Sequence, residues 1–264
     1  MHDKHKLRRF LWRTYARAVL VGRISLKGYL RYKFARDGAE VRLTALGRPI
    51  VVRKGTPDLQ VAMSCLSGEF AMLARLFPRD YDGTIVDAGG YIGTAAMAFA
   101  EMYPNARVIT IEPSPENLSL LRRNIAPYKN ISVVEGVLAA SSDTPLALKD
   151  RGTGAWGYSV VDIPEDENDE NISLIATVPS FRICDLGVDP GIIGILKLDI
   201  EGAEKDLFEN EAEALEQIPA VIAELHDRIV KGCTEAFMSF SRNRWIVPEK
   251  GEKFLSLSRM LRQQ

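Results

Sequence analysis

Apolar and polar positions alternate over residues 40–53, with a break at Leu46-Gly47-Arg48. Side chains of a strand point to opposite faces at every second residue, so this pattern predicts a β-hairpin. Helical spacing of apolar positions follows from about 59 to 76. From residue 84 the pattern becomes apolar runs separated by helical stretches. Strand is predicted over 84–87, helix over 94–102, strand over 107–112, helix over 115–125 with Ser114 as its cap, and strand over 131–135. Such alternation implies a parallel sheet with right-handed crossovers. It lapses between residues 139 and 190 into short β-like pieces around 145–148, 158–163 and 173–178, an insertion expected beside or over a site. It resumes with strand over 192–200, helix from about 203 to 215 and strand over 220–225. Residues 245–247 and 253–257, joined by Pro248-Glu249-Lys250-Gly251, read as a hairpin, so the sheet is expected to end in antiparallel strands.

Three segments follow from this pass: a basic helical arm over 1–38, a hairpin-helix lead-in over 39–80, and the domain that carries the chemistry over 81–264. A chain of 264 residues can bury one sizeable α/β core. It has no run of 18 apolar residues, and Met1-His2-Asp3-Lys4-His5-Lys6 lacks the apolar core of a secretory signal, which predicts a soluble, cytoplasmic protein. Cys65, Cys184 and Cys233 are odd in number and far apart, so they read as reduced thiols and not as a zinc or redox pair.

The net charge of −1 hides an asymmetry, because residues 1–36 hold 11 Lys or Arg against one acid, Asp3. Leu7, Phe10, Leu11, Tyr15, Val19 and Leu20 fall near helical spacing among Arg8, Arg9, Arg13, Arg17 and Arg23. Such a helix can lie on an anionic membrane surface, contact a phosphate-bearing carrier, or pack on the domain with its basic face solvated, the plainest of the three. Glu165, Asp166, Glu167, Asp169 and Glu170 crowd one short segment that reads as a solvated loop.

The most informative stretch is Ile85-Val86-Asp87-Ala88-Gly89-Gly90-Tyr91-Ile92-Gly93-Thr94. An apolar strand runs into an acid and a glycine-spaced turn before a helix, the layout of a nucleoside-cofactor site. A dinucleotide site presents G-x-G-x-x-G to a pyrophosphate, which Asp87 would repel. A cationic ligand suits the acid better. The D-x-G-x-x-x-G pattern resembles the first motif of S-adenosylmethionine (SAM)-dependent methyltransferases, and it makes Asp87, Gly89, Gly90, Tyr91 and Gly93 candidates for cofactor binding. Glu112 ends the next strand 19 residues beyond Gly93 and is followed by Pro113, a position suited to bidentate bonding of two ribose hydroxyls. Gly136 and Val137, after the third strand, are candidates for the adenine edge.

In Ile195-Leu196-Lys197-Leu198-Asp199-Ile200-Glu201-Gly202-Ala203-Glu204, Lys197 and Asp199 share one face of an otherwise apolar strand. Buried charges need partners or a task. Asp199 belongs in the crevice at the strand's carboxyl end, while Lys197 either neutralises neighbouring carboxylates or touches substrate. Glu204 is assigned to the dipole of the following helix. These residues, with Arg53-Lys54-Gly55-Thr56-Pro57-Asp58, Val86-Asp87-Ala88-Gly89-Gly90-Tyr91-Ile92-Gly93 and Ile111-Glu112-Pro113, resemble the FkbM-type methyltransferase family over roughly 40–226. The resemblance implies a class I methyltransferase (Rossmann-like) fold with a mostly parallel seven-stranded sheet and helices on both faces, SAM as donor, and a hydroxyl acceptor on a sugar, glycan or natural product. Tyr91 departs from it, since such proteins usually carry a small polar residue there.

His226 follows the strand over 220–225 and shares a face with Glu224. An ordinary imidazole pKa makes it a candidate base for the acceptor hydroxyl, beside Asp199 and Lys197. A divalent metal on Asp199, Glu224 and His226 is the less favoured arrangement, because no acid/amide pair follows Glu224. A non-catalytic SAM- or nucleoside-binding regulator is the alternative from another class. A nicotinamide dehydrogenase is disfavoured by the missing G-x-G-x-x-G, and nucleic-acid modification by the absence of an N/D-P-P-Y/F motif and by the acidic main portion.

Overall fold

The computed structural model describes residues 22–142, 145–160, 172–249 and 251–263. The apolar positions between Leu7 and Leu20, and the acidic run from Glu165 to Glu170, lie outside them. Contacts within the chain divide it into two compact units, Met1–Glu69 and Phe70–Gln264.

In the first unit residues 22–34 are helical (α1). An antiparallel hairpin follows, β1 (Glu40–Ala45) against β2 (Arg48–Arg53), then α2 (Asp58–Leu66). The inward positions of the hairpin, Val41, Leu43, Ile50 and Val52, are buried. Arg53 and Asp58, from the segment carrying the family resemblance, form a buried pair: Nε and Nη2 donate to the two carboxylate oxygens at 2.9 and 3.0 Å, and the Arg53 backbone N–H adds a bond of 2.7 Å. The helix predicted over 59–76 stops at Leu66, where Ser67 and Gly68 break it, and only a 3₁₀ turn at Leu73–Arg75 continues the pattern.

The second unit holds a seven-stranded sheet. Its elements in chain order are β3 (Thr84–Ala88), α3 (Thr94–Met102), β4 (Arg107–Glu112), α4 (Pro115–Ile125), β5 (Ile131–Glu135), the short pieces β6 (Val137–Leu138), β7 (Leu146–Asp150), β8 (Ser173–Val178) and β9 (Ser180–Phe181), then β10 (Ile193–Leu198), α5 (Glu204–Asn210), α6 (Ala212–Glu216), β11 (Ala220–Glu224), α7 (Cys233–Phe240), β12 (Trp245–Pro248) and β13 (Lys253–Leu257). The sheet order is β12-β13-β11-β10-β3-β4-β5, and β13 alone runs antiparallel to both of its neighbours. The expected antiparallel finish is therefore a single strand inserted between β11 and β12.

The chain steps from β3 outward to β5 and then returns to place β10 on the other side of β3. Right-handed crossovers in these opposite directions put α3 and α4 on one face and α5 and α6 on the other. The reversal opens a crevice at the carboxyl ends of β3 and β10, where ligands of open α/β sheets bind. The strands that flank it are almost wholly apolar and buried, with Val86, Ala88, Leu196, Leu198, Val221 and Ala223 packed against Leu207, Phe208 and Phe237. Ser114 caps α4 as expected, accepting from the Asn117 N–H, and Pro115 takes the first turn. The predicted helix over 203–215 is two short helices, α5 and α6, broken at Glu211. In the insertion, β7 and β8 pair with each other and β6 pairs with β9, while the piece predicted over 158–163 gives one isolated bridge, Ser159 to Lys149.

Candidate functional site

Asp87 is fully buried at the end of β3. Thr110 on β4 donates to its Oδ2 at 3.0 Å, and Lys197 Nζ lies 3.0 Å from its Oδ1, the registered neighbour on β10. Lys197 also donates to the Gly89 carbonyl at 2.9 Å and sits 3.6 Å from Asp199. Of the two roles open to it, the geometry thus displays the neutralising one. Asp199 keeps a third of its side chain exposed and faces the crevice. Its backbone N–H bonds to the Ala88 carbonyl at 3.1 Å.

The turn after β3 is built around that strand contact. A Cβ on Gly89 would stand 1.8 Å from the Asp199 carbonyl oxygen, and Gly89 has φ of +82°; a Cβ on Gly90 would meet Thr110 Oγ1 at 2.2 Å. Both glycines therefore make room for the protein's own chain, where the sequence suggested room for a ligand. Gly93 ends the turn in the left-handed region just before α3. Tyr91, the departure from the family pattern, is also left-handed with φ of +50°, a conformation that costs an L-residue roughly 1–3 kcal/mol. Its N–H donates to Glu112 Oε2 at 2.7 Å.

Glu112 is buried at the end of β4, and its Oε1 accepts from the Ser114 N–H at 3.0 Å and from Asn117 Nδ2 at 3.1 Å. Oε1 thus has two donors and Oε2 one, which leaves acceptor capacity on Oε2 for a hydroxyl. Burial pushes the carboxyl up to about 7 despite these donors. Pro113 follows and leads to the cap of α4. Asn117 reaches from Glu112 to the Ala155 carbonyl at 2.7 Å, tying the insertion to this side of the site. Gly136 and Val137 pack against residues 179–181, where a Cβ on Gly136 would meet the Pro179 oxygen at 2.4 Å and the Val137 N–H bonds to that same carbonyl.

On the opposite side of the crevice His226 is buried beyond β11. Its Nδ1 lies 2.8 Å from Glu204 Oε1, while Nε2 faces Asp199 at 3.8 Å and Glu201 at 3.7 Å. Glu204 is itself fixed, accepting from the Ile200 N–H at 3.0 Å and the Gly202 N–H at 2.8 Å. The helix-dipole role assigned from sequence understates it, because Glu204 holds the imidazole. Glu201 has φ of +51°, and Ser159 donates to its carbonyl at 2.8 Å while Arg228 sits 3.2 Å from its carboxylate. Burial, with Asp199 and Glu204 nearby, raises Glu201 to about 7 against the opposing pull of His226 and Arg228. Burial by itself would lower His226, but Glu204, then Glu201 and Asp199, raise it to about 9. These three carboxylates favour the protonated imidazole, where the sequence suggested a resting base.

Asp199, Glu201 and His226 offer ligand atoms within 4.8 Å of one another. Glu224, expected in such a set, instead pairs with Lys253 at 3.2 Å. Lys197, Arg228 and the imidazole lie against the same carboxylates and tie the cluster into a hydrogen-bonded charge network. Four acids, Asp87, Asp199, Glu201 and Glu204, meet three cationic groups there. Thr110, Asn117 and Ser159 were not foreseen, and Glu204 only as a partner of the helix dipole. Thr110 had a signal, as the lone polar residue between Val108 and Ile111 in an apolar strand, whereas Asn117 had none.

The sheet order with acids at the tips of β3, β4 and β10 defines a class I, Rossmann-like methyltransferase fold. The chain matches the methyltransferase FkbM domain over residues 87–254 and belongs to that family. "Methyltransferase 1" of Beauveria bassiana (strain ARSEF 2860) is 29% identical over 164 residues, a match covering 55% of this chain and 66% of that relative, just under two thirds of its length. Similar solved structures include a putative O-methyltransferase from Klebsiella pneumoniae (14% identity, TM-score 0.44, 73% of this chain and 79% of that one). A putative caffeoyl-CoA O-methyltransferase from Staphylococcus aureus is another (14% identity, TM-score 0.41, 71% and 81%).

Proposed function

We propose that this protein is a SAM-dependent O-methyltransferase that modifies a hydroxyl of a sugar, glycan or natural product. The observation that carries the reading is the set of acids Asp87, Glu112 and Asp199 at the strand tips around the glycine turn at 89–93. SAM, with one carboxylate against an ammonium and a sulfonium, has a net charge of about +1 and carries no phosphate for Asp87 to repel. The free lone pair of Glu112 Oε2 suits one ribose hydroxyl, and the turn at 89–93 lies between it and Asp199. When bound, the cofactor supplies an electrophilic methyl group on sulfur.

The remaining work falls to the chain. Asp199, held by Lys197 and His226, orients the acceptor hydroxyl by accepting its hydrogen bond. Glu201, poised near 7, is the group best matched to take the departing proton at neutral pH. The imidazolium of His226, anchored by Glu204, stabilises both carboxylates in place.

The test is transfer of label from methyl-labelled SAM into fractionated extracts of the source cell, alongside calorimetry with SAM and its demethylated product. Glu201→Gln is expected to lower turnover roughly 10²–10⁴-fold with SAM affinity nearly unchanged. Chelator is expected to leave turnover intact. Tight SAM binding without transfer to any fraction would replace the enzyme by a SAM-binding regulator, and failure to bind SAM would remove both readings.

A further inference from the structure

Helix α1 has two unlike faces. Ile24 and Gly28 are buried, and Gly28 lies over Leu43 of the hairpin, where a Cβ would come within 3.6 Å. The opposite face carries Leu26, Leu30 and Phe34 at successive four-residue steps, 60%, 42% and 76% exposed. At 100° per residue these three span one stripe of about 80°. Lys27 and Arg31 flank it on one side and Lys33 on the other, all exposed, and Lys33 Nζ lies 5.4 Å from the centre of the Phe34 ring. Residues 22–36 hold five Lys or Arg and no acid.

An apolar stripe of this kind on a water-facing helix is unusual, since long apolar side chains normally turn inward when the helix packs on a domain. Here the inward face is already used. Basic residues along both borders of the stripe give the arrangement of a helix that lies in a membrane surface, with the apolar side chains in the acyl boundary and the cations at the headgroups. Charge selects the surface: residues 1–69 carry 15 Lys or Arg against 5 Asp or Glu, whereas residues 70–264 carry 19 against 30. No helix among the described residues is long and apolar enough to cross a membrane.

We propose that the Leu26-Leu30-Phe34 face of α1, with Lys27, Arg31 and Lys33, docks the protein on an anionic lipid surface. The stripe supplies depth and the cations supply selectivity. Binding therefore needs both, and neither alone suffices.

The test is flotation of the full chain with vesicles of pure phosphatidylcholine and with vesicles containing 30% phosphatidylglycerol as probes. Binding is expected to the anionic vesicles alone and to fall as salt is raised. The variant Leu26→Ser/Leu30→Ser/Phe34→Ser keeps every cation, including those of residues 1–21, and is expected to lose binding. Lys27→Glu/Arg31→Glu is expected to weaken it by more than the roughly fivefold per cation that simple neutralisation gives. All three apolar positions are exposed, so circular dichroism and SAM titration should match the unmodified protein. Equal binding to neutral vesicles, or full binding by the triple serine variant, overturns the proposal. So does a concentration-dependent dimer that the serine variant abolishes while vesicles go unbound, because a second copy would then be the occupant.

Discussion

Replacing Glu204 by Gln removes the anion that holds His226, and the resulting loss should depend on pH in a calculable way. The imidazole moves from its ordinary 6.5 to about 9 on folding, chiefly through the hydrogen bond and charge of Glu204. A difference of about 2.5 units corresponds to about 3 kcal/mol of folding free energy. The sign follows from which state holds the proton more tightly. With the folded value above the unfolded one, the contribution is complete below pH 6.5 and disappears as pH rises through about 9. The expected outcome is that Glu204→Gln, which removes the largest of the three anionic contributions, destabilises the protein by an amount on the order of 3 kcal/mol at pH 6 and by much less at pH 9.5, where the unmodified protein has itself given up the proton. Urea denaturation at both pH values measures the difference. Carbon-13 spectra of the histidine rings supply an independent readout, because His226 shares the chain with only His2 and His5. A penalty that stays constant with pH, or a His226 midpoint at or below 6.5, would refute the account of the charge network and return the base role to the imidazole.

Glu112→Gln should weaken SAM binding by about 1–3 kcal/mol in calorimetry, and unchanged affinity would remove Glu112 from ribose recognition. Gly89→Ala should abolish SAM binding and lower the melting temperature, because its Cβ would fall 1.8 Å from the Asp199 carbonyl at a φ of +82°; a variant with native affinity would show that the two loops are free to part. In the first unit, Asp58→Ala strands buried Arg53 and should cost about 3–5 kcal/mol, while Arg53→Met/Asp58→Leu should recover most of it in the same denaturation assay.

Much of the fold was legible because its strands are short, apolar and punctuated by Gly, Pro and helix caps. Periodicity located β3, α3, β4, α4 and β5 to within a residue, since each alternates cleanly between one buried pattern and the next. It overran at α2 and α5, where apolar spacing continues past Ser67-Gly68 and past Glu211, and α7 went unnoticed behind the turn at 227–232. That turn is closed by Asp227, which accepts from the Gly232 and Thr234 N–H groups, a local bond that spacing does not reveal. The strand-tip acids were likewise visible, but their partners were not. Thr110 reaches Asp87 from the neighbouring strand and Glu204 reaches His226 from 22 residues away, and such pairings exist only once the sheet has set the register. For the same reason an ordinary histidine in the sequence favours its protonated form in the fold.

The contact between Gly89 and the Asp199 carbonyl fuses the turn after β3 to the acid after β10, with no side chain between them to absorb a shift. Two loops welded in this way cannot be adjusted separately, and a change that moved Asp199 would drag the glycine turn with it. The insertion between β6 and β10 reaches this frame through Ala155 to Asn117 and Ser159 to Glu201, so a shift of the frame would be felt there as well.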